Sequence, residues 1–166
     1  MARVNVDARL KAFLDLIAWS EGTSTSPITQ DDGYDVIVTG VDGPHRMVDY
    51  DDHPFASGLR SPVLVRKPGL YSTAAGRYQL LVRYWRSYKE KLKLDDFSPG
   101  SQDLVALQQM REERAYSDPQ PLDPQAAIEA CKNIWASFPG NSYGQGGRTM
   151  EELLAKYADL LVGDAG

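Results

Sequence analysis

The sequence predicts an α+β fold, mostly helical, with one small antiparallel β-hairpin lobe flanking a substrate cleft. Three observations predict it. Apolar residues recur at helical spacing in separate stretches, of which Leu10-Phe13-Leu14-Ile17-Ala18 and Ala127-Ala130-Cys131-Ile134-Trp135 are the cleanest. Strand-like sequence rich in β-branched and aromatic residues is confined to one region, Tyr34 to Tyr50, interrupted by Gly40-Val41-Asp42-Gly43-Pro44. With 166 residues, 42% of them hydrophobic, the chain suits a single domain, residues 1–166, with its own core. A small sheet beside helices leaves a groove between the two parts, where ligands usually bind.

Asp7 can cap a first helix that runs to about Ser20 and closes on Ala18-Trp19-Ser20-Glu21-Gly22. Glu21 lies eleven residues beyond Leu10, and at about 100° per residue it returns to within roughly 20° of the apolar row. Gly22 is suited to the left-handed position that ends a helix. A carboxyl group held there is dehydrated and sits at the negative end of the helix dipole, and both effects favour its protonated form. Those are the properties of a general acid.

Residues Thr23 to Asp32 read as a polar loop. Tyr34–Thr39 and Met47–Tyr50 then pair as one hairpin, the centre of a β lobe over about 33–71. From Asp51 to Tyr71, three prolines and two glycines rule out a helix and predict a long loop. Ser72-Thr73 can cap a helix whose apolar row is Tyr78, Leu81, Val82 and Trp85; Arg83, Arg86, Lys89, Lys91 and Lys93, with Tyr84 and Tyr88 among them, read as its solvated face in preference to an anion-binding stripe. Ser98-Pro99 starts the next helix, with Leu104, Leu107 and Met110 as its buried edge. Asp123-Pro124 starts another, ended by Phe138-Pro139-Gly140, and Trp135 reads as core. A glycine-rich loop, Asn141 to Arg148, precedes the capping box Thr149…Glu152 and a last helix carrying Leu153, Leu154, Tyr157, Leu160 and Leu161.

Composition narrows the chemistry. A net charge of −5 argues against nucleic acid as a partner. No apolar run approaches the ~18 residues of a membrane span, and the start lacks the apolar core of a signal peptide, so no stable membrane association is expected and the chain reads as made in the cytoplasm. One cysteine, Cys131, forms no internal disulfide, and with His45 and His53 it offers no metal-binding spacing, a count that leaves a carboxylate site open; neither metal nor cofactor is expected. The G-x-S-x-G match Gly140-Asn141-Ser142-Tyr143-Gly144 and the run Gly144-Gln145-Gly146-Gly147 both follow a helix rather than a strand, so neither reads as a nucleophile turn or a phosphate loop. Carboxylate chemistry remains, and acid cleavage of a glycoside by Glu21 fits it. Asp31, Asp32, Asp35, Asp49, Asp51 and Asp52 are all available as a second carboxylate, and their abundance selects none.

Six collinear segments then carry a resemblance. They are Phe13-Leu14-Asp15 with Ala18 to Thr23; Gly33 to Val38; Asp49 to Pro54; Ser72 to Leu81; Phe97-Ser98-Pro99 with Ser101-Gln102-Asp103 and Val105 to Gln109; and Asn133 to Gly140 with Tyr143-Gly144-Gln145. Together they resemble the lambda-type lytic transglycosylases, a family of phage endolysins, across nearly the whole chain. The resemblance implies a lysozyme-like fold and cleavage of the β-1,4 bond between N-acetylmuramic acid and N-acetylglucosamine in peptidoglycan. Glu21 would act first as acid and then as base while the muramic C6 hydroxyl closes on C1, leaving a 1,6-anhydro sugar. It further implies that the Gly76-Arg77-Tyr78-Gln79 turn lines the cleft, with Gln79 and Tyr78 on substrate. Tyr143 would stand on the opposite lip, with Tyr34 and Gln145 as further contacts. The implied partners are glycan strands and a holin-type lesion that releases a monomeric enzyme from the host cytoplasm to the periplasm and cell wall.

The chain departs from the family in the loop after Glu21, in the connection Val41 to Arg46, and in Phe55 to Tyr71, whose contacts therefore do not carry over. Two other readings stay open: a hydrolytic muramidase aided by Asp35 or Asp49, and a wall-binding module without catalysis. Retention of Glu21 with Gln79 argues against the second.

Overall fold

The computed structural model describes residues 1–141 and 147–164. The elements run α1 (Ala8–Ser20), β1 (Val36–Gly40), β2 (Gly43–Arg46), β3 (Val63–Arg66), β4 (Leu70–Ser72), β5 (Ala74–Ala75), β6 (Leu80–Leu81), α2 (Val82–Leu92), α3 (Pro99–Glu112), α4 (Pro124–Cys131) and α5 (Met150–Asp164). They form two compact units, one of residues 1–21 and 106–166, the other of residues 22–105, so one boundary falls at Glu21 and the other inside α3.

In the first unit α1 is the central element. Asp7 caps it by accepting the Arg9 and Leu10 N–H groups at 2.9 and 3.0 Å. The expected one-sided row is only part of what is covered, because Ala12 to Ala18 are all buried, as for a helix surrounded by its own core. That burial includes Asp15, whose carboxylate accepts the Ala2 N–H at 2.6 Å. Phe13 meets the ring edges of Phe138 and Tyr157, with centroids 6.1 and 6.5 Å away, and Trp135 packs on Phe138 as core. Rings in such arrangements add about 0.5–1.5 kcal/mol each beyond burial. α4 stops at Cys131, shorter than its apolar row, and Ile134 and Trp135 follow in turns whose N–H groups return to the Cys131 carbonyl. The Thr149/Glu152 capping box forms in both directions, at 2.9 and 3.2 Å.

The second unit differs from expectation in three places. β1 pairs with Gly43–Arg46 across a two-residue connection, not with Met47–Tyr50. Pro44 is tolerated because β2 is the edge strand of a sheet ordered β2-β1-β5-β6. Met47 turns into the core instead. The stretch 55–71 is not all loop, since β3 and β4 form a second hairpin, tied to the end of β1 by the Val41 N–H and the Leu64 carbonyl at 2.9 Å.

Residues 73–81 make the tight hairpin β5–β6 instead of a helix. Gly76 and Gln79 both take left-handed φ, +82° and +52°, which no α-helix can accommodate. α2 therefore begins only at Val82, with Leu81 rather than Ser72 or Thr73 at its N-cap, although the Thr73 hydroxyl still accepts the Val82 N–H at 3.2 Å. On α3, Leu104 is exposed while Ser101, Gln102 and Asp103 are buried.

The core of this unit is Ile37, Met47, Phe55, Ala75, Leu80, Trp85, Phe97 and Val105. His53 sits at its edge against Phe97, with ring centroids 4.8 Å apart. Its Nε2 lies 2.8 Å from the Leu80 carbonyl and its Nδ1 accepts the Phe55 N–H, which a neutral ring satisfies. Burial pushes its pKa down to about 4, against the ordinary 6.5. The unfolded chain thus takes up a proton that the folded chain refuses. Stability is full above about pH 6.5 and falls by roughly 3 kcal/mol as pH drops towards 4. Urea titrations of wild type and His53→Asn across this range should show the slope in wild type and its flattening in the variant.

Candidate active site

Glu21 ends α1. Its N–H bonds the Ile17 carbonyl at 2.8 Å, and Gly22 follows with φ of +77°. Its carboxyl Oε1 accepts the Ser137 hydroxyl at 2.6 Å, and the Ser137 hydroxyl in turn accepts that of Ser20 at 2.8 Å. Desolvation raises the Glu21 pKa above the ordinary 4.5, opposed by the Ser137 hydroxyl and main-chain donors. The result is a half-buried acid held in one orientation by a short hydroxyl chain.

Ser137 owes its place to the far side of the glycine-rich loop. The Arg148 N–H bonds the Ser137 carbonyl at 3.0 Å, and a Cβ on Gly147 would stand 2.5 Å from that oxygen, so only glycine allows the approach. Arg148 then lays its guanidinium 3.9 Å above the Trp19 ring, two residues before Glu21. Removing the Ser137 hydroxyl removes a donor that favours the charged form. Ser137→Ala should therefore raise the Glu21 pKa further and move the alkaline limb of activity to higher pH, as a pH profile of kcat would register.

The second constellation belongs to the other unit and surrounds the turn 76–79. Asp103, fully buried, accepts the hydroxyls of Tyr34 at 2.8 Å and Tyr78 at 2.6 Å on one oxygen. The buried Arg77 guanidinium lies over both rings, at 5.1 and 5.6 Å, and bonds the Asp32 carbonyl and carboxylate. Gln102 accepts the Arg77 N–H at 2.8 Å and donates to the carbonyls of Tyr34 and Phe97. A Cβ on Gly76 would fall 2.4 Å from the Gln102 amide oxygen, which together with its φ fixes glycine there. Both phenols are pushed up by burial, Tyr78 well above the ordinary range, and serve as neutral donors.

This frame positions Gln79, a half-buried non-glycine residue in the left-handed region, where strain commonly marks function. Its side-chain amide donates to the Gly76 carbonyl at 3.0 Å, which uses one of two hydrogens and leaves its oxygen as an acceptor.

Of the residues expected to touch substrate, Tyr34 and Tyr78 are thus buried, with their hydroxyls on Asp103. Tyr143 and Gln145 lie outside the described residues. Of the six carboxylates weighed as partners for Glu21, five accept structural bonds. Asp35 is buried and accepts from Thr29 and Gln30; Asp31 accepts the Tyr50 hydroxyl; Asp32 pairs with Arg77; Asp52 accepts from Trp85 and Lys89; Asp49 accepts the Asp51 N–H. Ser137, Gln102 and Asp103 were not singled out from sequence, and Arg77 entered only as part of the turn read as lining the cleft. No local pattern marks Ser137, and the polar run Ser101-Gln102-Asp103 near the start of a helix is the one signal for Gln102 and Asp103.

Known proteins show the same architecture. The chain matches bacteriophage lambda lysozyme complexed with a chitohexasaccharide at a TM-score of 0.82 and 46% identity, over 95% of this chain and 97% of that one. A second structure of lysozyme from bacteriophage lambda gives a TM-score of 0.74 at 43% identity, over 99% and 97%. The fold is therefore that of a phage lysozyme. The family model described as Endolysin matches residues 11–162. The endolysin of Escherichia phage P2 is 48% identical over 155 residues, 93% of each chain, and that of Escherichia phage lambda 46% identical over 157 residues, 94% and 93%. The chain belongs to the endolysin family.

Proposed function

We propose that this endolysin is a lytic transglycosylase that cuts the β-1,4 bond between N-acetylmuramic acid and N-acetylglucosamine in peptidoglycan, for lysis of the host cell. The observation that carries the reading is Glu21, a desolvated carboxyl group with a raised pKa, fixed by Ser137. Protonated, it gives its proton to the glycosidic oxygen as the C1–O bond breaks. The resulting carboxylate then takes the proton of the muramic C6 hydroxyl, whose oxygen bonds C1. The proton returns to Glu21, the nucleophile comes from the substrate, and no water is consumed. A second catalytic carboxylate is then unnecessary, in keeping with the structural bonds of Asp31, Asp32, Asp35 and Asp52.

Gln79 is the proposed glycan contact, with Tyr34 and Tyr78 as positioning residues beneath it; Tyr143 and Gln145 remain proposed contacts by family resemblance. The chitohexasaccharide complex of the lambda lysozyme supports a glycan as ligand. Release of soluble fragments from purified peptidoglycan, with their muramic ends analysed, tests the reading. Anhydro ends support it, reducing ends mean hydrolysis, and wall binding without release means a binding module.

A further inference from the structure

The charge of this acidic chain is segregated. Residues 53–94 hold nine Lys and Arg against a single acid, Glu90, a formal charge of +8. The remaining residues, with nine bases and 22 acids, carry −13. Of the nine, Arg77 is buried in the frame under Gln79 and Lys89 is half-buried beside Asp52. Arg60, Arg66, Lys67, Arg83, Arg86, Lys91 and Lys93 are exposed.

These residues belong to two neighbouring elements of one unit, the β3–β4 hairpin with the loop before it, and α2. The Arg86 guanidinium donates to the Ala56 carbonyl at 3.2 Å, tying α2 to that loop, and Ala56, Val63, Val82 and Tyr88 pack around the same core. In the chain the two elements bracket β5–β6, whose turn carries Gln79: β4 ends at Ser72 and α2 begins at Val82. Tyr84 and Tyr71 add exposed rings, with Arg83 stacked over Tyr84 at 4.7 Å.

We propose that this basic face docks the carboxylate-bearing peptide side chains of the peptidoglycan strand whose sugars the Gln79 turn contacts. The inference rests on the proposed function and names the part of the substrate that a glycan-only reading omits. Two considerations favour it. A cation-rich surface on a net-negative protein attracts an anionic polymer while the rest of the molecule repels it, which orients as well as attracts. The face is also continuous in the chain, on both sides, with the turn assigned to the glycan, so peptides branching from a bound strand would meet it. An anionic lipid surface is the competing occupant, because Leu59 and Leu70 are exposed beside the same bases.

The test uses the full chain and two double variants, Arg66→Gln/Lys67→Gln on the hairpin and Arg83→Gln/Lys91→Gln on α2. Each is assayed on peptidoglycan bearing its peptides and on the same glycan stripped of them by an amidase. The expected result is a KM about tenfold higher on the peptide-bearing wall, a weaker salt dependence and unchanged kinetics on bare glycan. Equal losses on both substrates, or no change on either, would overturn the proposal. So would loss of sedimentation with anionic phospholipid vesicles while wall kinetics hold. Co-sedimentation with peptide-bearing wall, but not stripped wall, reads docking directly. A wild-type protein that binds this way but cleaves neither substrate would sink the transglycosylase reading and leave the docking face standing.

Discussion

Glu21→Gln should lower the rate of peptidoglycan cleavage by about a thousandfold or more, since amide replacement removes both the proton delivered to the leaving oxygen and the base that takes one back. The same substitution should stabilise the fold. The Glu21 pKa is raised by burial, so the folded chain favours the protonated form, and its contribution to stability is present below the unfolded value of 4.5 and lost as pH rises through the folded pKa. At neutral pH and above, the desolvated carboxylate is therefore a cost that glutamine lacks, while the Ser137 hydroxyl can still donate to the amide oxygen. Melting curves should place the variant above wild type, by a margin that widens from pH 5 to pH 8. An inactive variant that melts lower at every pH would mean that Glu21 serves the fold rather than the chemistry.

Asp103→Ala should be the most destabilising single change at the Gln79 turn. It leaves two buried phenols without this acceptor, while Arg77 keeps its ion pair with Asp32. Two buried donors left unsatisfied cost about 2–6 kcal/mol together, enough to lower the melting temperature by roughly 10 °C in a chain of this size. The mechanism predicts more than lost stability. Because Asp103 orients the turn and touches no substrate, the surviving folded protein should show a raised KM, while the pH dependence set by Glu21 stays where it was. Tyr34→Phe removes one donor and leaves Tyr78 on the same oxygen, so it should cost much less.

What was legible in the sequence follows the range of the forces involved. Helix starts are local chemistry, and Asp7, Ser98-Pro99, Asp123-Pro124 and Thr149/Glu152 were all found where they act. The dehydrated setting of Glu21 was legible because its position on the apolar row and the glycine after it lie within one helix. Strand partners were not. Gly43-Pro44-His45-Arg46 has no strand propensity and is held in β2 only by its pairing with β1. The apolar spacing Tyr78, Leu81, Val82 and Trp85 suits a helix, but Gly76 and Gln79 turn the chain left-handed within it. Ser137 reaches Glu21 from 116 residues away, and Tyr78 meets Asp103 from 25. Such contacts exist only once the units have formed, so the proposed acid could be singled out from sequence while the groups that orient it and the Gln79 turn could not.

On the proposed mechanism one carboxyl group suffices because the substrate supplies its own nucleophile. Digestion of purified peptidoglycan in water enriched in heavy oxygen, followed by mass spectrometry of the earliest products, tests it most directly. The expected products carry 1,6-anhydro muramic ends, lighter by one water than hydrolysed ends and free of label. Labelled reducing ends at the same early times would contradict it, by showing that water attacks C1 and that a second group must activate it.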